Sequence, residues 1–576
     1  GRLVDYIILA EFDIDTGSTV RHQFPNAIPG HETDHFAEYM LPEGAHNREE
    51  DWTYMILNRS GPQIDEDLWL KAPEAAATPV VAPEGERGEA QPMLFGINHV
   101  RTKYDSTVRR GAIVKAIAFF SKYHFIESFK DVLVEALEMY YINPSVDVLS
   151  SVFNTINEVK LEDYPVLNPT EQFFLKKRCL RPLLRAIDRG EITPPPPPQM
   201  IPVTEISVSL CPPSGDAGDS PNSRSAYIPI PLTRSQDEIG DINISRFVKL
   251  FGESTMRIYN AILARQRVLF VGYNHAACDL AQMVFSAVAS CAPPMAGIIK
   301  RAVPYATLSD LSFLEIPGYI AGVTNPMFQQ HDTWFDLLCI LDAMQKGKAN
   351  PASPSNAADA ALENMDSKFI ARVICGVNAH FGEEWVRLQF HEYTAAFLQE
   401  AMDLKYNKGL QGFEKYPEKY QKKYDIRYLR VAKMAASDTF RNVPLHPWSW
   451  LTEGDNPFPI DGVRIRRDIR RLTVEVDLPG DIVLSTFEYL DRTMVSEKAL
   501  QALLVLLSDN TGGGIALTVG LFHPYSTVRD RVMRILLKLK SFESTSYFFE
   551  DLNPFYLIAF QNIIDSTSND GNRETK

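Results

Sequence analysis

The stretch "QRVLFVGYNHAACDLAQMVFSAVAS", residues 266–290, carries the clearest fold signal in the middle of this chain. Its first part, Val268–Val271, is a short, wholly apolar run that reads as a buried strand, and a turn at Gly272 follows it. Apolar residues then recur at helical spacing until Pro293 and Pro294 stop the helix. The stretch therefore predicts a strand, a turn and a helix, which is the repeating unit of a parallel α/β sheet.

The flanking sequence repeats this pattern. Upstream, "DINISRFVKLFGESTMRIYNAILAR" (residues 241–265) predicts one amphipathic helix. Downstream, residues 319–323 predict a second strand, Asn325 and Pro326 interrupt the pattern, and "DTWFDLLCILDAM" (residues 332–344) predicts a second helix. We therefore expect an α/β domain over residues 236–345.

The N-terminal part predicts a different arrangement, with strands first and helices after them. "VDYIILAEFDIDTGSTVRHQFP" (residues 4–25) predicts a hairpin, and further strands are predicted within residues 51–59, 92–105 and 109–123. "HFIESFKDVLVEALEMYYIN" (residues 124–143) then predicts a helix that ends before Pro144. Residues 1–165 are therefore predicted to be an α+β module, with an exposed, mobile insertion at residues 71–92.

The remaining sequence divides into spacers and helices. Residues 185–235 are rich in Pro and Ser, and five consecutive prolines at 194–198 favour a polyproline II spacer over a ligand for SH3 or WW domains. Residues 365–564 predict mostly helices, and residues 565–576 predict a disordered tail. The predicted fold class is multidomain, α+β followed by α/β, with a mostly helical C-terminal part.

Composition excludes several classes of function. The 576 residues carry a formal charge of −15, which argues against general binding of nucleic acid. The six cysteines form no CxxC pair, so neither a zinc ribbon nor a disulfide framework is indicated, and reduced thiols of a cytoplasmic protein fit best. No run of about eighteen uncharged apolar residues occurs, so we expect no transmembrane segment and only peripheral contact with membranes.

No motif indicates covalent chemistry. The turn at residues 272–275 has one glycine and no Lys-Ser or Lys-Thr pair, so it is neither a Walker A loop nor a dinucleotide fingerprint. No G-x-S-x-G elbow is present. We therefore expect no catalytic residue, no cofactor and no metal, and binding is the expected activity.

One string, His31-Glu32-Thr33-Asp34-His35, matches the H-E-x-x-H motif of zinc peptidases. That chemistry needs both imidazoles on one helix face, but Pro29 and Gly30 end any helix just before the first histidine. The candidates for a third ligand lie in a polar segment and are His46, Glu49 and Glu50. A short surface helix with two exposed histidines is favoured, and a zinc hydrolase remains the distant alternative.

Two basic tracts interrupt the acidic background. Residues 405–430 mix Lys and Arg with tyrosines, and residues 464–471 have the sequence "RIRRDIRR". Interleaved aromatic and cationic residues can bind single-stranded nucleic acid or anionic lipid. The favoured interpretation is a solvated face whose tyrosines pack inward and whose arginines pair with the surrounding acids. For a functional tract, an anionic membrane surface or an acidic protein suits this negative chain better than RNA does.

Several longer segments of the sequence resemble a known protein family. Residues 4–25 together with "FAEYMLPEGAHNREEDWTYMIL" (residues 36–57) resemble the N-terminal docking domain of the fungal Arf-interacting proteins of the DENN superfamily. Residues 266–290 and "IPGYIAGVTNPMF" (residues 316–328) resemble the stabilisation-of-polarity-axis segment of the same proteins. The resemblance implies a longin-like N-terminal (upstream DENN) module, a Rossmann-like central DENN core and a helical downstream DENN region. It also implies that Leu41-Pro42-Glu43-Gly44 is a turn in a connector that contains His31 and His35.

The function implied by this resemblance is binding of an Arf- or Rab-family GTPase, with guanine nucleotide exchange as an accompanying hypothesis. The place implied is polarised membrane traffic at the cell cortex or growing tip. Exchange would need no nucleophile, because tighter binding of the nucleotide-free GTPase is sufficient. The alternatives are a non-catalytic scaffold that recruits a GTP-loaded GTPase and a promoter of GTP hydrolysis. For hydrolysis the candidate arginines are Arg101, Arg109 and Arg110.

Strand ends and loops are the expected GTPase-binding surface, because they project polar residues from a rigid scaffold. The first candidate set follows the two central strands and comprises Tyr273, Asn274, His275, Thr324 and Asn325. The second, Arg21 and His22, lies beside the first hairpin. An alternative for Asn274 and Asn325 is that they cap the helices that follow them.

Overall fold

We describe the chain from a computed structural model. The described residues are 2–13, 17–31, 33–58, 93–104, 112–159, 169–188, 203–210, 224–232, 234, 237–239, 242–273, 275–295, 297–342, 357–406, 460, 462–474, 479–507, 515–550, 552 and 554–571. The chain divides into two compact units. The first comprises residues 1–166, 182–394 and 410–443, and the second comprises residues 167–181, 395–409 and 444–576. The sequence regions predicted as N-terminal and central domains therefore lie in the same unit.

Five antiparallel strands form the N-terminal sheet. They are β1 (Tyr6–Asp13), β2 (Gly17–Phe24), β3 (Glu50–Leu57), β4 (Leu94–Tyr104) and β5 (Ala112–Ser121). Their order in space is β2-β1-β5-β4-β3, which places β2 and β3 at the two edges. The predicted hairpin is confirmed, because β1 pairs with β2 from Ile7 opposite Phe24 to Asp13 opposite Gly17. The expected insertion at residues 71–92 lies outside the described residues.

Helices cover both faces of this sheet. They are α1 (Thr33–Met40), α2 (Lys130–Ile142) and α3 (Val146–Asn157). Ile8 of β1 packs in one core with Phe36 of α1. On the other face, Phe119 of β5 meets Phe129, just before α2, edge to face with ring centroids 6.1 Å apart. Alternate strand residues point to opposite faces, so the apolar runs of these strands are covered on both sides. The predicted end of α2 before Pro144 is confirmed.

The spacer expected at residues 185–235 contains secondary structure, which corrects that prediction. Helix α4 (Pro169–Asp188) reaches into it, and β6 (Val203–Leu210) pairs antiparallel with β7 (Arg224–Pro231). Alternate side chains of the hairpin, including Ile206 and Ile228, are buried. The proline content obscured this alternation. The five prolines at 194–198 lie outside the described residues.

A parallel sheet forms the centre of the first unit. The elements are α5 (Ile244–Phe251), α6 (Thr255–Leu263), β8 (Val268–Val271), α7 (Ala277–Cys291), β9 (Ala302–Ala306), β10 (Ile320–Val323) and β11 (Leu337–Ile340). The strand order is β11-β8-β10-β9, and each neighbouring pair is parallel. The predicted parallel α/β arrangement is therefore confirmed. The single helix predicted at residues 241–265 is two helices, because the chain turns at Gly252 with φ +55°.

Two further elements differ from the sequence prediction. Residues 332–344 were predicted to be a helix, but Leu337–Ile340 form β11. A short apolar run has no periodicity that separates a buried strand from a buried helix. The strand β9 was not predicted, because Pro304 interrupts its sequence. Proline is tolerated there because β9 is an edge strand of the sheet.

The rest of the described chain is helical, as predicted. Helices α8 (Ala357–Asn378) and α9 (Glu383–Tyr406) follow the parallel sheet. The second unit contains α10 (Gly462–Val474), α11 (Gly480–Thr493), α12 (Glu497–Leu506), α13 (Ile515–Thr518), α14 (Ser526–Ser541), α15 (Glu543–Ser546) and α16 (Pro554–Gly571). Helix α16 continues to Gly571 and so includes the first part of the segment predicted as a disordered tail.

Candidate functional site

The carboxyl edge of the parallel sheet brings together most of the first predicted set. Tyr273 and His275 follow β8, and Thr324 and Asn325 follow its neighbour β10. Parallel strands end at the same edge, so these loops are adjacent. Asn274 lies outside the described residues. The four described residues differ in access, because Tyr273 is 61% exposed whereas His275 and Thr324 are buried.

His275 lies between two carboxylates at this edge. Its Nδ1 is 3.7 Å from Asp279 Oδ2, and its Nε2 is 3.8 Å from Asp342 Oδ1. Arg246 also reaches Asp279, at 2.8 Å. Hydrogen bonding from His275, together with that from Arg246, lowers the pKa of Asp279 to about 2 in spite of partial burial. Asp342 additionally accepts a hydrogen bond from the Tyr273 N–H at 3.0 Å, so these polar groups are occupied within the chain.

The connector after α1 lies against the same edge. The Glu43 carboxylate accepts a hydrogen bond from Asn325 Nδ2 at 3.3 Å, and the Glu43 N–H donates to the Tyr305 hydroxyl at 3.1 Å. The Tyr39 hydroxyl donates to Asp310, which follows β9. The turn Leu41-Pro42-Glu43-Gly44 therefore fastens the N-terminal module to loops of the parallel sheet.

Asn325 has a capping role, as one of the two sequence hypotheses proposed. Its Oδ1 accepts a hydrogen bond from the Met327 N–H at 3.0 Å, at the start of a short 3-10 helix. Thr324 is 3.4 Å from the Tyr305 hydroxyl through its own Oγ1. Both side chains thus have structural partners. The large exposed side chains on these two loops are Tyr273 and Met327.

A second contact between the modules caps α7. The residue before this helix is Ala276, which has no side-chain acceptor. The carboxylate of Asp51, on β3, accepts from the N–H groups of Ala277 at 3.0 Å and Cys278 at 3.2 Å. Three residues further along β3, the ring of Tyr54 packs edge to face on Phe285 of α7, with ring centroids 5.2 Å apart. The β3 edge of the N-terminal sheet is therefore covered by the parallel module.

Arg21 and His22 lie on β2, at the opposite edge of the same sheet. The pairing of β1 with β2 passes from Leu9–His22 to Ala10–Val20, so Arg21 is the extra residue of a β-bulge. Its Nε is 3.3 Å from Glu11 Oε2, and the same carboxylate binds Lys115 at 2.6 Å. The ring of His22 meets Tyr140 at 6.0 Å.

These residues belong to a larger surface, which we call the tyrosine–cation surface. It comprises Glu11, Arg21, Arg101, Lys103, Lys115, Glu138, Tyr140 and Tyr141. Lys103 lies over the Tyr141 ring at 4.1 Å, and Lys115 lies over the Tyr140 ring at 4.7 Å. Burial raises the pKa of both tyrosines, so their hydroxyls stay neutral. The eight residues include four cationic side chains and two carboxylates, so this surface has a net positive charge although the whole chain is negative.

Two family models match the chain. Residues 6–108 match the family described as "Docking domain of Afi1 for Arf3 in vesicle trafficking". Residues 242–347 match the family described as "Stabilization of polarity axis". The first match covers β1 to β4 and their connector, and the second covers the helices and strands of the parallel module from α5 to β11.

Two curated proteins are similar over longer stretches. An AFI1-like protein of Schizosaccharomyces pombe is 25% identical over an alignment of 374 residues, which covers 59% of this chain and 58% of that protein. The ARF3-interacting protein 1 of Saccharomyces cerevisiae is 24% identical over an alignment of 219 residues, which covers 27% of this chain and 24% of that protein. The chain therefore spans less than two thirds of either relative.

The zinc motif does not have the geometry that the chemistry requires. His35 is exposed on α1, but His31 precedes that helix and is half-buried, which corrects the expectation of two exposed helical histidines. The His31 Nε2 lies 3.0 Å from Asn58 Oδ1. Among the described residues, no group of three or more His, Cys, Asp or Glu side chains is arranged to hold a metal ion.

Several other predicted sites are only partly described. Arg101 belongs to the tyrosine–cation surface and pairs with Glu138, whereas Arg109 and Arg110 lie outside the described residues. Most of the basic tract at residues 405–430 also lies outside them. The tract at residues 464–471 falls in α10, where Arg464 is 3.5 Å from Asp468 and covers the Tyr489 ring at 4.1 Å. Of the helices in the described ranges, none is both long and apolar enough to cross a membrane.

Sequence reasoning missed the residues that join the two modules. Asp51 and Glu43 are ordinary acidic residues in sequence, and their partners are more than 200 residues away. Tyr140, Tyr141 and Lys115 were assigned only to a helix and a strand. The signal that the sequence offered was a charged residue, Asp51, at the start of a predicted apolar strand, because a carboxylate that becomes buried there needs a partner.

Proposed function

We propose that this chain docks an Arf-type small GTPase in polarised membrane traffic, through the tyrosine–cation surface of its N-terminal sheet. The observation that carries this proposal is the match of residues 6–108 to a docking domain for Arf3. This segment supplies Glu11, Arg21, Arg101 and Lys103 of the surface. The relatives named AFI1-like and ARF3-interacting protein support the same class of partner.

The chemistry of the surface suits a protein partner with acidic groups. Arginine is enriched at protein interfaces, and excess positive charge steers an acidic partner to it. Tyr140 is buried, so its ring supports Lys115 and does not itself meet a partner. The side chains of Arg21 and Lys103 are 42% and 36% exposed, so both are accessible to a partner while Glu11 and Glu138 hold them in position. The bulge at Arg21 turns its side chain out of the regular strand pattern, as bulges next to binding sites do.

The other edge of the sheet is a weaker candidate for docking. There, Asp51 binds the N-terminus of α7 and Tyr54 packs on Phe285. A GTPase at β3 would have to displace these buried contacts. We therefore assign docking to the tyrosine–cation surface, which extends across the sheet from β2 to β4. Tyr273, His275, Thr324 and Asn325 are not required for docking in this proposal.

Guanine nucleotide exchange is the second candidate function. The observation that favours it is the direct fastening of the docking sheet to a parallel α/β module through Asp51 and Glu43, which is consistent with longin-like and Rossmann-like parts of a DENN-type regulator. Exchange requires only that the nucleotide-free GTPase binds most tightly. Rab GTPases are the alternative partner for this activity, and a scaffold that holds the GTP-loaded form at the cell cortex is the non-catalytic alternative.

The experiment combines capture with nucleotide release. Purified Arf and Rab GTPases, each in the GDP, GTP-analogue and nucleotide-free states, are incubated with the immobilised chain, and release of a fluorescent GDP analogue is followed in parallel. We expect capture of an Arf-type GTPase that falls at least tenfold in the double variant Arg21→Ala with Lys103→Ala. A matched control is Lys249→Ala, which removes an exposed cation on α5.

The outcomes separate the candidates. Tightest capture of the nucleotide-free form with faster release identifies an exchange factor. Capture of only the GTP-loaded form with unchanged release identifies an effector or scaffold. Equal capture by the double variant and the native chain would exclude the tyrosine–cation surface, and capture of Rab but not Arf GTPases would overturn the choice of partner.

A further inference from the structure

Three large apolar side chains are exposed at the carboxyl edge of the parallel sheet. Tyr273 follows β8, Met327 follows β10 and Leu308 follows β9, with exposed fractions of 61%, 46% and 36%. These strands are consecutive neighbours in the order β8-β10-β9, and adjacent strands lie about 4.8 Å apart. The three side chains therefore line one row of neighbouring loops, which we call the carboxyl-edge patch.

The loops that carry this patch are held in position from within the chain. Tyr273 is fixed by the hydrogen bond from its N–H to Asp342, and Met327 by the Asn325 cap. The loop of Leu308 is fixed by Asp310, whose carboxylate accepts from the Ser312 N–H at 2.9 Å and from the Tyr39 hydroxyl. A rigid apolar row loses little conformational entropy when a partner binds it. Isolated exposed apolar residues need no explanation, but an ordered row of three indicates an interaction surface.

Carboxylates surround the patch. Asp342 lies beside Tyr273, Glu43 lies beside Asn325, and Asp310 is two residues after Leu308. Partial burial of Asp310 is outweighed by hydrogen bonds from Tyr39 and Ser312, and the pKa of this carboxyl is lowered. The Arg246 guanidinium at this edge is already paired with Asp279. Three carboxylates therefore lie beside the patch.

We propose that the carboxyl-edge patch binds a protein segment that presents apolar side chains flanked by Lys or Arg. The apolar row provides the buried centre of the contact and the carboxylate rim selects positive flanks. The same rim repels an anionic membrane, and it repels a second copy of itself, so neither is the expected occupant. This binding is separate from GTPase docking at the tyrosine–cation surface.

The test uses two synthetic amphipathic helical peptides with the same leucine face, one with lysine and one with glutamate on the polar face. Each is titrated into the full chain at physiological salt and followed by fluorescence anisotropy. We expect one lysine peptide to bind per chain, at least tenfold more tightly than the glutamate peptide. Binding should fall at least tenfold in the double variant Leu308→Ser with Met327→Ser, and should be unchanged in Leu537→Ser, which replaces a 45% exposed leucine on α14.

Four results would overturn the proposal. They are equal binding of both peptides, unchanged binding in the double variant, concentration-dependent self-association of the free chain that the double variant abolishes, and binding to phosphatidylserine vesicles that the double variant abolishes. Because the substituted side chains are exposed, the fold of the double variant is expected to be native, and its circular dichroism and melting temperature verify this. If capture of the Arf GTPase fails but the lysine peptide binds as expected, this proposal stands without the docking function.

Discussion

The carboxylate of Asp51 caps a helix that begins 226 residues later in the sequence, with its Oδ2 3.0 Å from the N–H of Ala277. The same carboxylate accepts from Cys278 at 3.2 Å, so one side chain of the docking-domain match completes the first turn of α7 in the polarity-axis match. The two matched segments are far apart in the sequence, but the N-terminus of α7 depends on a side chain from the other segment. We therefore expect neither segment to keep its native structure at this contact when the other is absent.

Removal of this cap should destabilise the first unit. Asp51→Ala leaves two N–H groups of α7 without their acceptor, so we expect the free energy of unfolding to fall by about 2 kcal/mol. Chemical denaturation followed by circular dichroism measures the change. The matched control is Ser145→Ala, which removes an exposed cap of α3 and should cost about 0.5–1 kcal/mol. Equal losses in both variants would show that Asp51 stabilises the unit no more than an ordinary helix cap does.

Capture of the GTPase should depend on salt through Arg21 and Lys103. If the tyrosine–cation surface attracts an acidic partner, raising the ionic strength from about 50 mM to about 300 mM should weaken capture several-fold. The double variant Arg21→Ala with Lys103→Ala should show a smaller dependence, because two of the interacting charges are absent. Equilibrium binding at three salt concentrations measures both slopes. Parallel slopes for the native chain and the variant would exclude these two cations from the interface.

His99 should make the first unit sensitive to mild acid. Its imidazole is fully buried and stacks on Trp52 at 4.3 Å, and burial lowers its pKa below the usual 6.5, although Glu50 opposes the shift. The folded state then binds its proton less readily than the unfolded state. The contribution of the neutral His99 to the free energy of unfolding is therefore complete above pH 6.5, the unfolded pKa. It is lost as the pH falls through the lower pKa of the folded state.

The variant His99→Phe tests this expectation because it keeps an aromatic ring against Trp52 without a titrating group. The free energy of unfolding of the native chain should fall between pH 7 and pH 5, and the variant should fall less. Burial also lowers the pKa of His124. The stability of the variant should therefore still depend on pH, but less steeply than that of the native chain. Identical pH profiles for the two proteins would contradict the prediction.

Asp491 should stabilise the second unit independently of the first. Its carboxylate binds Arg531 at 2.9 Å, Arg534 at 3.0 Å and Lys538 at 3.0 Å, which joins α11 to three cations of α14. Asp491→Asn removes the negative charge between them, so we expect a loss of about 2 kcal/mol in the free energy of unfolding. Asp530→Asn, an exposed acid on α14, is the control and should change the stability by less than about 0.5 kcal/mol. Equal effects of the two substitutions would disprove the role of Asp491.

Local patterns were sufficient to predict many of the elements. The buried run at Val268–Val271, the helix after it and the first hairpin were all read from spacing alone, because burial of an apolar face imposes a period on the sequence. The failures also have local reasons. Leu337–Ile340 is too short to show a period, and Pro304 obscures an edge strand that tolerates it.

Most helices and strands, the acidic charge and the lack of a phosphate-loop motif could be read from the sequence, because they depend on neighbouring residues or on composition. Long-range packing sets which polar side chains are hydrogen-bonded within the chain and which apolar ones are exposed. Asn325 and Thr324 appeared accessible in sequence but are held by Glu43 and Tyr305, whereas Met327 and Leu308 are exposed. The physical reason is that hydrogen-bond partners and burial are set by segments far apart in the chain, whose proximity no local pattern encodes.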